Sequence, residues 1–115
     1  MDNVTKFKGR ENFQAYLNAV GQVEAGTISP GGAAAVLRVS RQAIDSLIEA
    51  GHLRCWQFYE GWPKPRCTYK EIAVRDLIEW GVRTGKIQSK ADCALSFPHL
   101  EEEINRARLI VSSAA

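Results

Sequence analysis

Arg41 and Gln42 stand side by side directly after Ser40, and Asp45 and Ser46 follow one helical turn later. Arginine can grip the O6 and N7 atoms of guanine with two hydrogen bonds, and glutamine can do the same with adenine. Asp45 can accept from a cytosine amino group, and Ser46 can donate or accept. At the exposed start of a helix these four residues have the chemistry needed to read base edges in a DNA major groove. They equally suit the solvated first turns of an ordinary surface helix, and spacing alone leaves both readings open.

Such residues need a rigid support, and the flanking sequence predicts one. Ser40 is an N-cap, and Ala43, Ile44, Leu47 and Ile48 form the apolar stripe of a helix that stops at Gly51. The stripe turns Arg41, Gln42, Asp45 and Ser46 outward. Upstream, Ser29-Pro30 starts a short helix to about Leu37, in which Ala33 and Ala34 are small enough to admit a closely crossing helix, with Ala34 expected at the crossing. The two helices are joined by a turn at Arg38-Val39. Before them, Phe13, Tyr16, Leu17, Val20 and Val23 recur at helical spacing between Arg10 and Ala25, with Gly26 as the stop.

After them, Leu53 to Tyr59 and Cys67 to Val74 are rich in aromatic and β-branched residues and flank Glu60-Gly61-Trp62-Pro63-Lys64-Pro65, the pattern of a long hairpin with a stiff tip. Between His52 and Lys70 the hairpin carries Arg54, Lys64, Arg66 and Lys70 against a single acid, Glu60. They form a positive strip, or they are solubilising charges on an exposed hairpin. Trp62 at the tip either packs back across the hairpin, docks on a partner chain or wedges against DNA. Helical spacing resumes from Arg75 to about Thr84, and a polar link from Gln88 to Ser96 leads to a last helix starting near Ser96-Phe97-Pro98. That helix has Glu101, Glu102 and Glu103 early, Arg106 and Arg108 late, and Leu100, Ile104 and Ala107 on its buried side. Ser112 to Ala115 reads as a frayed end.

Length and composition set the frame. With 115 residues and 45% hydrophobic content the chain makes one globular unit. It divides into an N-terminal helical extension (1–26), a central segment (27–86), and a link with a C-terminal helix (87–115). Net charge is only +2, yet residues 38–86 hold nine Lys or Arg against six Asp or Glu, about +3 on one stretch. No run reaches the roughly 18 apolar residues of a membrane span, and the polar start precedes no apolar leader, so the expectation is a soluble, cytoplasmic chain. Cys55, Cys67 and Cys93 are an odd, widely spaced set and are read as thiols. Without a closely spaced ligand pair, His52, His99 and the cysteines suggest no metal. No activated nucleophile and no phosphate-binding glycine loop is evident, so no cofactor and no enzymatic activity are expected.

The run from Ser29 through Gly31-Gly32-Ala33-Ala34 and Val39-Ser40-Arg41 to Ile44, followed by Leu47-Ile48-Glu49-Ala50-Gly51-His52-Leu53, resembles the winged helix-turn-helix of the MerR and excisionase-like superfamily. Val74-Arg75-Asp76-Leu77-Ile78-Glu79-Trp80 resembles the helix after the wing, so the likeness spans about residues 27–84. The resemblance implies a mainly α fold with a β-hairpin wing, extended by N- and C-terminal helices. It also implies binding to double-stranded DNA in a bacterial or phage setting, as a transcriptional regulator or an excisionase-like architectural factor. Base reading would fall to Arg41, Gln42, Asp45 and Ser46. Backbone contacts would fall to Arg54, Lys64, Arg66 and Lys70 of the wing, joined by Arg38 and Ser40 of the turn.

The sequence departs from that pattern in two places. Arg38 fills a turn position commonly held by glycine, and Asp45, Ser46 and Glu49 stand where relatives carry aromatic or basic residues. Only about 30 residues follow the domain, too few for the long coiled coil of effector-sensing MerR regulators, which argues against a small-molecule sensor. A phage packaging-type DNA-recognition subunit would share the fold. The rival from another class is a protein-interaction module docking through its aromatic wing. The apolar faces of the two terminal helices suggest a homodimer.

Overall fold

In the computed structural model, residues 2–113 are described; they form a mixed α/β unit with five α-helices and one four-stranded sheet. The elements run β1 (Val4–Lys8), α1 (Phe13–Gly21), β2 (Thr27–Ile28), α2 (Pro30–Leu37), α3 (Arg41–Glu49), β3 (Cys55–Glu60), β4 (Arg66–Ala73), α4 (Val74–Arg83) and α5 (Leu100–Ser113). The expectation of a mainly α chain with a lone hairpin is corrected. The sheet order is β1-β3-β4-β2, with β1 parallel to β3 and the other pairs antiparallel, so the hairpin has a neighbour on both edges.

The sequence predicts a helical extension over residues 1–26, with its helix from Arg10 to Ala25. Instead β1 registers Val4 on Cys55 and Lys8 on Tyr59, and a 3₁₀ turn over Arg10–Asn12 leads into α1. Helix α1 ends at Gly21, before the expected stop, because the chain must turn back to the sheet. Ala25 and Gly26 take positive φ of 69° and 83°, the Gly26 carbonyl accepts from the Val74 N–H at 3.2 Å, and β2 then pairs with Ile72 and Ala73 of β4.

Helices α2 and α3 match their sequence signals closely. Ser29 Oγ accepts from the Gly32 N–H, and Ser40 Oγ from the Ala43 N–H, each at 3.1 Å, so both helices begin on a serine cap. Arg38 takes the left-handed conformation, φ 55° and ψ 46°, in a three-residue turn, and the Val39 N–H reaches back to the Ala34 carbonyl at 3.0 Å. The arginine thus adopts the strained backbone that a glycine would accept freely.

The core joins Ala33, Val36 and Leu37 of α2, Ile44 and Ile48 of α3, Leu53, Cys55 and Ile72 at the hairpin base, and Leu77 and Ile78 of α4. Ala33, rather than Ala34, is the fully buried alanine, and Leu47 lies at the margin while Ile44 is fully enclosed. Gly81 of α4 marks the closest approach. A Cβ there would meet Ile87 Cδ1 at 2.5 Å and Leu37 Cδ2 at 3.0 Å, so the Ile87 and Leu37 side chains would have to shift to admit one.

Helix α5 covers α4 with Leu100, Ile104 and Ala107, as its sequence pattern requires. It begins later than expected, because His99 sits at φ 67°, and the preceding link contains a 3₁₀ turn (Lys90–Asp92) capped by Ser89. Of the expected frayed end, Ser112 and Ser113 belong to α5, and Ala114 and Ala115 lie outside the described residues. The faces on which a homodimer was expected are filled only in part within the chain. Phe13 and Tyr16 lie on the sheet and Leu100 and Ile104 in the core, leaving Leu17, 44% exposed, as the accessible remnant on α1. No described helix is long and apolar enough to cross a membrane.

Candidate functional site

Strand alternation sorts the hairpin's side chains onto two faces. On one, Phe7 of β1, Phe58 of β3 and Tyr69 of β4 meet Phe13 and Tyr16 of α1. The Phe13 and Phe58 rings contact edge-on at 4.9 Å between centroids, and Phe7 meets Tyr16 the same way at 5.8 Å. On the other face Lys6, Gln57, Tyr59 and Lys70 line a polar cleft of about 560 Å³ whose far wall is α3, through Asp45, Ile48 and Glu49. A bulge at Phe58/Tyr59, where Tyr59 pairs with Cys67 and Phe58 with Tyr69, twists the outer part of the hairpin.

The four expected base-reading residues lie together on the first two turns of α3. Arg41, Gln42 and Ser46 are exposed, and Asp45 is half-buried beside the cleft. Arg41 has no ion-pair partner among the described residues and shares a shallow surface depression with Cys67 to Glu71 of β4. Ser46 donates to the Gln42 carbonyl at 3.1 Å. Asp45 faces Lys70, Oδ1 to Nζ 3.6 Å, so α3 is tied to β4 by an ion pair that spans the cleft. Partly exposed, that pair contributes at most about 1 kcal/mol to stability.

The six residues expected at a nucleic-acid backbone divide. Lys64 and Arg66 are exposed at the hairpin tip, without ion-pair partners among the described residues. Ser40 is exposed and engaged as the α3 cap, its Oγ accepting from the Ala43 N–H. Lys70 is occupied by Asp45. Arg38 donates from Nε to the Asp92 carbonyl at 2.9 Å, which binds the turn to the link before α5. Arg54 forms a fork with Asp76, Nε to Oδ2 at 2.9 Å and Nη2 to Oδ1 at 3.1 Å, while its own N–H donates to Oδ2 at 2.8 Å. The fork raises the Arg54 pKa further and fastens the hairpin base to the start of α4. Arg54 and Arg38 are therefore both engaged by partners in the chain itself while staying exposed.

Two lysines were overlooked. Val4, Lys6 and Lys8 alternate to the cleft face of β1, where Lys6 Nζ lies 5.8 Å from the Tyr59 ring centre. Their signal was weak because a short edge strand that ends in lysines has no apolar periodicity to find. Asn3 was missed as well. Its side-chain amide donates to the carbonyls of Ile48 at 2.8 Å and Leu53 at 2.6 Å, closing the end of α3 onto the strand edge.

The cysteines are free and dispersed: Cys55 is buried, Cys67 exposed and Cys93 half-buried. Burial pushes the thiols of Cys55 and Cys93 up, opposite to the shift that makes a nucleophile. Trp62 does not pack back across the hairpin; it is 92% exposed. What the surface offers is therefore an exposed, capped helix start with Arg41 and Gln42, flanked by a hairpin whose tip presents Lys64, Arg66 and a bare indole. No known family model matches the chain, and neither a curated protein nor a solved structure matches it.

Proposed function

We propose that the chain is a winged helix-turn-helix protein that binds double-stranded DNA, with α3 entering the major groove and the β3–β4 hairpin serving as the wing. The observation that carries this reading is the exposed N-terminal turn of α3. Arg41 and Gln42 project from a serine-capped helix start, and Lys70, paired with Asp45, joins that helix to the hairpin that carries Lys64 and Arg66. Arg41 and Gln42 read bases; the N-terminal end of α3, Lys64 and Arg66 hold phosphates. Lys6 and Lys8 extend the positive strip along the sheet edge, whereas Arg38 and Arg54 serve the fold. Regulation of transcription and an excisionase-like architectural role both use such a surface.

Selection from a random duplex library yields an enriched site under this reading. On that site Arg41→Ala weakens binding by about 1–3 kcal/mol and relaxes one base pair, most readily a guanine. Arg41→Lys keeps the charge and loses the planar fork, so it too loses discrimination relative to scrambled duplex. Full discrimination by the lysine variant would remove Arg41 from base reading. Absence of duplex binding by the folded protein at low salt would remove the function.

A second reading, a protein-docking module that uses its aromatic wing, is favoured by the bare indole of Trp62 at the hairpin tip. Salt separates the two. Duplex affinity falls steeply as salt rises, whereas an aromatic protein contact responds weakly.

A further inference from the structure

Trp62 is the most exposed large apolar side chain of the described residues, 92% accessible, and none of the aromatic contacts in the fold includes it. It stands on a tip of two prolines, Pro63 and Pro65, whose rings restrict the backbone, and the cations Lys64 and Arg66 follow within four residues. The lever beneath is anchored: its base by the Arg54–Asp76 fork, its middle by Phe58 and Tyr69 against α1. A flat apolar blade on a stiff, anchored hairpin, with positive charge beside it, matches a surface that is apolar between its bases and anionic along its edges. A protein pocket for the same tip would have to bury or pair Lys64 and Arg66 around the indole.

We infer that Trp62 is a wedge that inserts between base pairs in the minor groove of duplex DNA, next to the major groove that α3 occupies. The inference rests on the duplex-binding reading above. Lys70, beside Asp45 of α3, lies four strand residues from Arg66, about 13 Å of hairpin at roughly 3.3 Å per residue, and the tip extends beyond that. Half a duplex turn is about 17 Å, so the hairpin is long enough for its tip to span to the neighbouring groove. Wedging unstacks one base step and bends the duplex toward the major groove, while Lys64 and Arg66 meet the phosphates on its rim.

The test uses the full chain and a duplex on which wild-type binding is measurable, with 2-aminopurine scanned across the flanking step and donor and acceptor dyes at the two ends. Wild-type protein raises 2-aminopurine emission at one step and bends the duplex by at least about 20°. Trp62→Ala, on a bare surface and checked for folding by circular dichroism, loses both signals and roughly tenfold in affinity; Trp62→Phe restores most of each. If Trp62→Ala binds and bends DNA as the wild type does, the wedge is wrong and the duplex reading stands, with the indole left to a protein partner. If wild-type protein binds no duplex at low salt, the duplex reading itself fails and the wedge with it.

Discussion

The two faces of the β1-β3-β4 sheet are drawn from alternate residues of the same three strands, yet they do opposite work. Toward α1 the sheet presents Phe7, Phe58 and Tyr69, which interlock with Phe13 and Tyr16. Toward α3 it presents Lys6, Gln57, Tyr59 and Lys70 around an open polar cleft. The difference teaches how a hairpin can be stiff and still keep a polar working side. Its outer part is held from the α1 face, while the α3 face packs at the hairpin base through Cys55 and Ile72 and carries charge beyond it. Arg54 completes the division by holding the hairpin base to Asp76.

The sharpest way to break this division is to empty the aromatic face. Phe58→Ala leaves a cavity under α1 and destabilises the chain by about 3–5 kcal/mol in urea titration. An effect below about 1 kcal/mol would mean that α1 does not stiffen the sheet. Next come the supports of the polar side. Ile44→Ala, at a fully enclosed position of α3, costs about 2–5 kcal/mol, and Leu47→Ala costs less because its side chain is partly solvated. Equal losses would place the two faces of α3 differently.

Tyr16→Phe sharpens the comparison in the stabilising direction. The Tyr16 hydroxyl is buried with no hydrogen-bond partner among the described residues, so its removal raises stability at neutral pH by about 1 kcal/mol. Burial first, then the Glu71 charge, pushes the Tyr16 pKa up to about 12. A phenol whose folded pKa exceeds its unfolded value near 10 gives stability that is complete below about pH 10 and lost as the pH rises toward about 12. The phenylalanine variant lacks that part of the alkaline loss, a difference visible in thermal melts at stepped pH.

The smallest effects fall at the tip. Lys64→Ala and Arg66→Ala each weaken binding to all duplexes alike and flatten the salt slope by roughly one unit, whereas Lys70→Ala, already paired with Asp45, changes the slope less. A tip variant that changed the preferred sequence would move base reading onto the hairpin.

Local chemistry was legible without the fold. Serine caps at Ser29 and Ser40, the proline after the first of them, the stripe Ile44, Leu47 and Ile48, and the hairpin strands around the Gly-Trp-Pro tip all stand in the structure close to where their residue types put them, because caps, turns and helical periodicity act within a few residues. The exposure of Arg41, Gln42 and Ser46 follows from the same periodicity. Only the tertiary structure decided what became of the free edges and free charges. The sequence signal for β1 was too short and too charged to stand alone, and it becomes a strand because the edge of β3, some fifty residues away, supplies its hydrogen bonds. Arg38 and Arg54 find Asp92 and Asp76 within reach, and Phe13 of the α1 face that suggested a second copy meets Phe58 and Tyr69, while Leu17 of the same face stays exposed. A charge or an apolar face declares its type in the sequence, but its partner is whatever the folded chain brings alongside, and that depends on contacts remote in sequence.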